Sequence, residues 1–167
     1  MARERWTADH ALAVLAETPA RIRKATDGLP QDLLRRAPEA DAWSANEVLS
    51  HLRACADVRG GAILTILSED SPTIRAVNPR RWDRQAGYRD LEFDESVRAF
   101  ADQRAALLQA LEALPAEGWA REATITGAGK PYRKDVLGFA CWLAQHERSH
   151  LRQIEQIAGA LRGSERD

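Results

Sequence analysis

At 167 residues, 44% of them hydrophobic and 29% charged, the chain is long enough for one domain with a full core and short for two. Lys+Arg 24 against Asp+Glu 25 gives a net charge of -1, which excludes the strongly basic footprint of a nucleic-acid binder, and no apolar run approaches a membrane span. Cys55 and Cys141 sit in helical patterns, and residues 1–5 are charged rather than an apolar signal core, so free thiols and a cytoplasmic location are expected.

The first helix is expected from about Thr7, as N-cap, through Leu12, Val14, Leu15 and Ile22 to Gly28, with Pro19 kinking or dividing it. A short helical piece follows near residues 32–36. Ser44 and Glu47, preceded by Trp43, form an S-x-x-E capping box that opens a second long helix reaching about Leu67. Residues 71–93 hold Pro72, Pro79, Gly87 and many charges without sustained periodicity, and read as a long crossover loop. Its arginines, Arg80, Arg81 and Arg84 among them, read as solvated surface, and Trp82 and Tyr88 as a wall or lid. The third helix starts near Asp94 and carries Val97, Phe100, Leu107, Leu108 and Leu111 until Pro115. Residues 123–133 alternate weakly around Gly127 and Gly129, suggesting a hairpin. The fourth helix, 134–161, shows Val136, Ala140, Leu143, Ile154, Ile157 and Leu161 at helical spacing. The fold class predicted is therefore an all-α four-helix bundle in a single domain.

At about 100° per residue, His150 falls inside the apolar arc of the fourth helix and His146 at its edge one turn earlier, so both imidazoles can approach one ion. His51 lies at the border of the second helix's arc formed by Val48, Leu52, Cys55, Ala62 and Ile66. It is placed to complete a three-nitrogen face for a divalent transition metal. A lone histidine on such a face is more often a hydrogen-bonded core residue. Three of four, two at i, i+4, reverse that preference. His10, without a partner at ligand spacing, is set aside. Glu147, Arg59 and Arg104 fall near the middle of apolar stripes, and buried charges need partners. Glu147 is the candidate base or orienting acceptor, and the two arginines are candidate substrate contacts. Cys55, one turn after His51, reads first as a small core residue that could also line the cavity.

Residues 146–150 read H-E-R-S-H, the H-E-x-x-H pattern of zinc hydrolases, but Gln153 and Gln156 follow where a metzincin has glycine and a third histidine. The Trp43-Ser44 pair opening the second helix, the H-L pair at His51-Leu52, the 100–104 stretch, and H-E-x-x-H-x-x-Q-I ending at Ile154 together resemble the DinB-like superfamily over nearly the whole length. The resemblance implies an up-up-down-down four-helix bundle, commonly dimeric, with a nickel or zinc site whose ligands map onto His51, His146 and His150. It also implies, from some relatives, a transferase or isomerase that uses a low-molecular-weight thiol such as mycothiol or bacillithiol on a small-molecule substrate.

Three functions remain open on sequence: the thiol-using metal-dependent transferase, a metal-dependent hydrolase with Glu147 as base, and a non-catalytic module in which metal bridges helices for stability. The last predicts a coordination sphere closed by another protein ligand.

Overall fold

The computed structural model describes residues 6–164, and the charged start at 1–5 lies outside them. Four long helical segments build the molecule. They are α1 (Ala8–Thr26), the run α3 (Ala45–Cys55) and α4 (Gly61–Ser68) joined by a π-turn at Ala56–Gly60, α6 (Phe93–Glu112) and α8 (Val136–Ser164). The short helices α2 (Gln31–Leu34), α5 (Pro79–Ala86) and α7 (Ala116–Trp119) lie in the connections. So does a sheet ordered β1-β2-β3, formed by Thr73–Arg75, Glu122–Thr126 and Tyr132–Asp135. Among the described residues no helix is long and apolar enough to cross a membrane, and Cys55 and Cys141 are both free thiols.

The helix starts follow from their caps. Thr7 accepts a bond from the His10 amide at 3.2 Å, and Ser44 and Glu47 make the reciprocal capping box, with Glu47 Oε2 accepting from the Ser44 amide at 2.9 Å. Pro19 does not divide α1: the helix runs unbroken through it, because packing against α6 and α8 outweighs one lost backbone bond. The third helix begins two residues earlier than expected, with Glu92 rather than Asp94 at the N-cap position.

Paired side chains fix the helix directions. Arg21 meets Glu155 at 2.7 Å and Arg162 donates to the Asp27 carbonyl at 2.9 Å, so α1 and α8 run parallel. Arg53 donates to Ser96 at 3.0 Å and Gln103 donates to Asp57, so α3 and α6 also run parallel. Trp43 stacks near His150 while His51 meets His146, which makes α3 antiparallel to α8. In chain order the four helices therefore run up, down, down, up, where the resemblance implied up, up, down, down. The reason is the crossover at 69–92, which returns the chain so that α6 can lie parallel to α3.

That crossover is more ordered than its composition suggested. Asn78 caps α5 by accepting from the Arg80 amide at 2.9 Å, Pro79 fills the first turn, and Gly87 (φ 68°) ends the helix in the left-handed conformation. Arg80, Arg81 and Arg84 are exposed, as read from the sequence, with Arg80 over the Trp43 ring, while half-buried Arg89 bridges buried Asp83 and Glu47, both at 3.0 Å. The expected hairpin is present as β2 and β3, but β1 from the crossover adds to it in parallel, with Thr73 opposite Thr124, which the weak alternation did not signal.

Two apolar clusters form the core. One surrounds Leu15, Ile63, Leu111, Phe139 and Leu143, and the other Ile22, Leu49, Phe93, Phe100 and Ile154. Between them lies a polar layer to which every long helical segment contributes: Thr18 from α1, His51 from α3, Arg104 from α6, and His146 and Glu147 from α8. In sequence, Thr18 lies between Leu15 and Ile22, Arg104 between Phe100 and Leu107, and Glu147 between Leu143 and Leu151. A layer of this kind is costly to bury unless its members satisfy one another.

Candidate metal centre

The site is built where α3 and α8 cross. His51 Nε2 faces His146 Nε2 at 3.2 Å, and the Cys55 thiol, one turn beyond His51, stands 3.5 Å from His51 Nε2 and 4.0 Å from His146 Nε2. The donor atoms of these three residues all lie within 4.8 Å of one another. His150 joins them as a ring: its centroid is 4.5 Å from that of His146 and 5.1 Å from that of His51. Gln153 Oε1 lies 2.9 Å from His150 Nδ1, so this ring N–H donates to the amide oxygen. The structure thus brings the donor atoms of His51 and His146 together with that of Cys55, whose first reading was as a core residue, and places the His150 ring beside them but outside that donor group.

Aromatic rings fix the imidazoles in place. Trp142 stacks on His146 at 4.7 Å, while Trp43 meets His51 edge-on at 5.2 Å and lies nearly parallel to His150 at 6.1 Å. Neither tryptophan was singled out as a site residue, although Trp142 precedes His146 by one turn and Trp43 adjoins the N-cap. His51 and His146 also have buried Nδ1 atoms without a hydrogen-bond partner among the described residues.

Electrostatics favour ligands over cations. Burial first, then repulsion from His150, lowers His51 to about 4, with Asp83 pulling the other way. Burial, His150 and His51 together lower His146 to about 3. Both imidazoles are therefore neutral at physiological pH, as metal ligands must be. Burial pushes the Cys55 thiol up to about 12, with Arg59 the main opposing influence, so the sulfur keeps its proton unless a cation displaces it.

The donor set fits a borderline transition metal. Around a tetrahedral centre with metal–nitrogen bonds of about 2.0–2.1 Å and a metal–sulfur bond of about 2.3 Å, neighbouring donors are separated by about 3.3 Å between nitrogens and about 3.6 Å between nitrogen and sulfur. The His51–His146 and His51–Cys55 separations of 3.2 and 3.5 Å are close to those edges, while the His146–Cys55 separation of 4.0 Å is longer.

The remaining predicted residues are placed separately. Glu147, fully buried, pairs with Arg104, itself 2% exposed, so the carboxylate looks toward α6; burial raises its pKa against the pull of that guanidinium. Its second oxygen, Oε2, and the Arg104 Nε and Nη1 atoms are buried without partners among the described residues. Arg59 is half-buried, with its guanidinium 4.9 Å over the Trp142 ring. Its place in the π-turn explains why a regular helical wheel put it at the centre of a stripe: the wider turn carries an extra residue and shifts the helical phase from there on. His10 stacks on Trp6 at 4.2 Å, and Arg148 lies over the same Trp6 ring. Trp82 and Tyr88 of the crossover both donate to Asp57, at 2.8 and 2.6 Å, which ties the crossover to the π-turn beside the site.

An antiparallel pair of bundle helices that brings imidazoles and a thiol together beside a tied-down crossover defines a four-helix bundle with a cluster that could hold a metal ion. The chain belongs to the DinB superfamily, whose sequence profile matches residues 15–154. Among solved structures it is similar to YfiT from Bacillus subtilis, described as a probable metal-dependent hydrolase with an unusual four-helix bundle topology. The two share 18% identity with a TM-score of 0.73, over 95% of this chain and 93% of that one. It is also similar to a protein from Streptococcus pneumoniae at 15% identity and a TM-score of 0.63, over 94% of each chain. No curated protein matches the chain.

Proposed function

We propose that this protein is a metal-dependent enzyme that holds one divalent transition metal, nickel or zinc, through His51, His146 and His150 and uses it to activate a low-molecular-weight thiol for transfer to a small electrophilic substrate. The observation that carries the reading is the meeting of imidazoles from two distant stretches of chain, with Nε2 atoms 3.2 Å apart and both rings neutral. A bound metal supplies Lewis acidity that lowers the pKa of a coordinated thiol or water. The chain's own residues orient the imidazoles, with Gln153 fixing the His150 tautomer and Trp43 and Trp142 packing against the rings. Arg59, one ring away from His146, places positive charge where an anionic thiol or substrate would enter.

Hydrolysis, the activity named for YfiT, is the second enzymatic reading, and the Glu147 pKa, raised by burial to about 7, favours it. It requires the Glu147 carboxylate to act as base while Arg104 holds its other oxygen. The position of Cys55 favours a third reading, in which the sulfur completes the coordination sphere and the metal is structural.

The discriminating experiment loads the protein with nickel or zinc and follows consumption of a generic electrophile, chlorodinitrobenzene, with and without bacillithiol, mycothiol or glutathione. Thiol-dependent turnover that disappears in His146→Ala supports the transferase. Turnover of an activated ester without thiol, lost in Glu147→Gln with metal retained, supports hydrolysis instead, and bound metal with neither activity supports the structural reading.

A further inference from the structure

Beside the π-turn lies a cavity of about 280 Å³, walled by Ile74, Ala76 and Val77 of the crossover, Ile125 of β2, Phe139 of α8 and Trp82 of α5. We propose that it binds the apolar body of a small organic acid whose carboxylate is held by Arg59. The proposal deepens the metal-dependent reading and rests on it, because Arg59 joins the cavity to the histidines. Its guanidinium lies 4.9 Å over the Trp142 ring, and the other contact of that ring is the stack on His146.

The chemistry of the walls selects the ligand. The surfaces are mostly hydrocarbon and aromatic, which suits a compact apolar group, with Asp57, Arg59, Thr65 and Arg75 as the polar lining. Arg59 lines the same cavity, and its Nε atom is buried without a hydrogen-bond partner among the described residues. A buried donor without an acceptor is unfavourable, and a carboxylate supplies that acceptor with the opposite charge. The acid among the lining residues, Asp57, is already engaged: its carboxylate accepts from Trp82, Tyr88 and Gln103. It therefore does not neutralise Arg59 through a direct hydrogen bond. Arg75, an exposed lining residue, is the alternative anchor, and the test must separate the two. A carboxylate on Arg59 would hold the charged end of a small acid across the Trp142 ring from His146 while the crossover covers its apolar end.

The test is isothermal titration of the full metal-loaded chain with trans-cinnamate and with cinnamyl alcohol, which share an apolar body and differ in charge. Cinnamate should bind about tenfold or more tightly than the alcohol, as expected for a charge-assisted hydrogen bond. Arg59→Gln should reduce that preference to about twofold or less with alcohol affinity unchanged, Arg59→Lys should keep part of it, and Ala76→Trp should remove binding of both by filling the cavity. No binding of either probe by a metal-loaded protein overturns the proposal. So does a preference that survives Arg59→Gln, or one that is lost in Arg75→Gln instead. Metal analysis of the same samples keeps the two readings apart: a chain that holds no metal but prefers cinnamate through Arg59 supports the pocket while removing the metal.

Discussion

His51 Nε2 and His146 Nε2 lie 3.2 Å apart although 95 residues separate them in the chain. Two imidazoles this close, both lowered well below their ordinary pKa by burial, form a site that takes either one shared proton or one cation.

Cys55 decides whether such a cation would have an open position. Cobalt(II) substituted into the protein should give a sulfur-to-metal charge-transfer band if Cys55 ligates. Cys55→Ser should then remove the band and weaken binding about tenfold or more, while Cys55 as a bystander leaves spectrum and affinity unchanged. The proposed enzyme needs that position open and so predicts no band; with the sulfur 3.5 Å from His51 Nε2, a band would mark the structural reading instead.

In metal-free protein the same rings make stability pH-dependent. The unfolded chain takes up protons below the ordinary histidine value of 6.5, whereas folded His51 and His146 resist until about 4 and about 3. Their contribution is therefore complete above about pH 6.5 and is lost as pH falls through the folded values. Glu147, raised by burial, contributes with the opposite sign over its own range. The informative measurement is urea stability against pH for the wild type and for His51→Gln combined with His146→Gln. The double variant should lose less stability between about pH 6.5 and pH 4, and identical slopes would contradict the assignment.

Arg104 and Glu147 are a buried pair of opposite charges in the polar layer. Arg104→Ala leaves the carboxylate unpaired and should cost about 3–5 kcal/mol in chemical denaturation. Replacing both, with Arg104→Met and Glu147→Leu, should recover most of that loss, since the surroundings are apolar. Equal destabilisation by the single and double replacements would show that the pair is not what Arg104 contributes.

Asp57 gathers Trp82, Tyr88 and Gln103 on one carboxylate. Asp57→Ala should destabilise the protein by about 2 kcal/mol or more and, in hydrogen exchange, loosen residues 79–90 before the bundle. Unchanged protection of that segment would show that the crossover is held by other contacts.

The bundle was legible because helical periodicity and caps carry it: Thr7, Ser44 and Glu47 act at the helix starts as their residue types suggest. The histidine cluster was legible for a related reason, since i, i+4 spacing and apolar neighbours place side chains on one face. Cys55 shares that spacing with His51, and only its hydrophobic character concealed it. Trp43 and Trp142 were hidden likewise, because aromatic residues on an inner face read as core. The crossover was misread because α5 is short and polar, held by Asn78, Pro79 and Gly87 rather than by an apolar stripe. Helix direction and the pairing of β1 with β2 depend on contacts across the fold, and no local pattern encodes them.

The most direct test is metal content in purified wild type and in His51→Ala, His146→Ala and His150→Ala, each confirmed folded by circular dichroism. The structure's convergent imidazoles predict about one equivalent of nickel or zinc in the wild type and a large loss in every variant. Stoichiometric metal retained in all three variants would contradict the site.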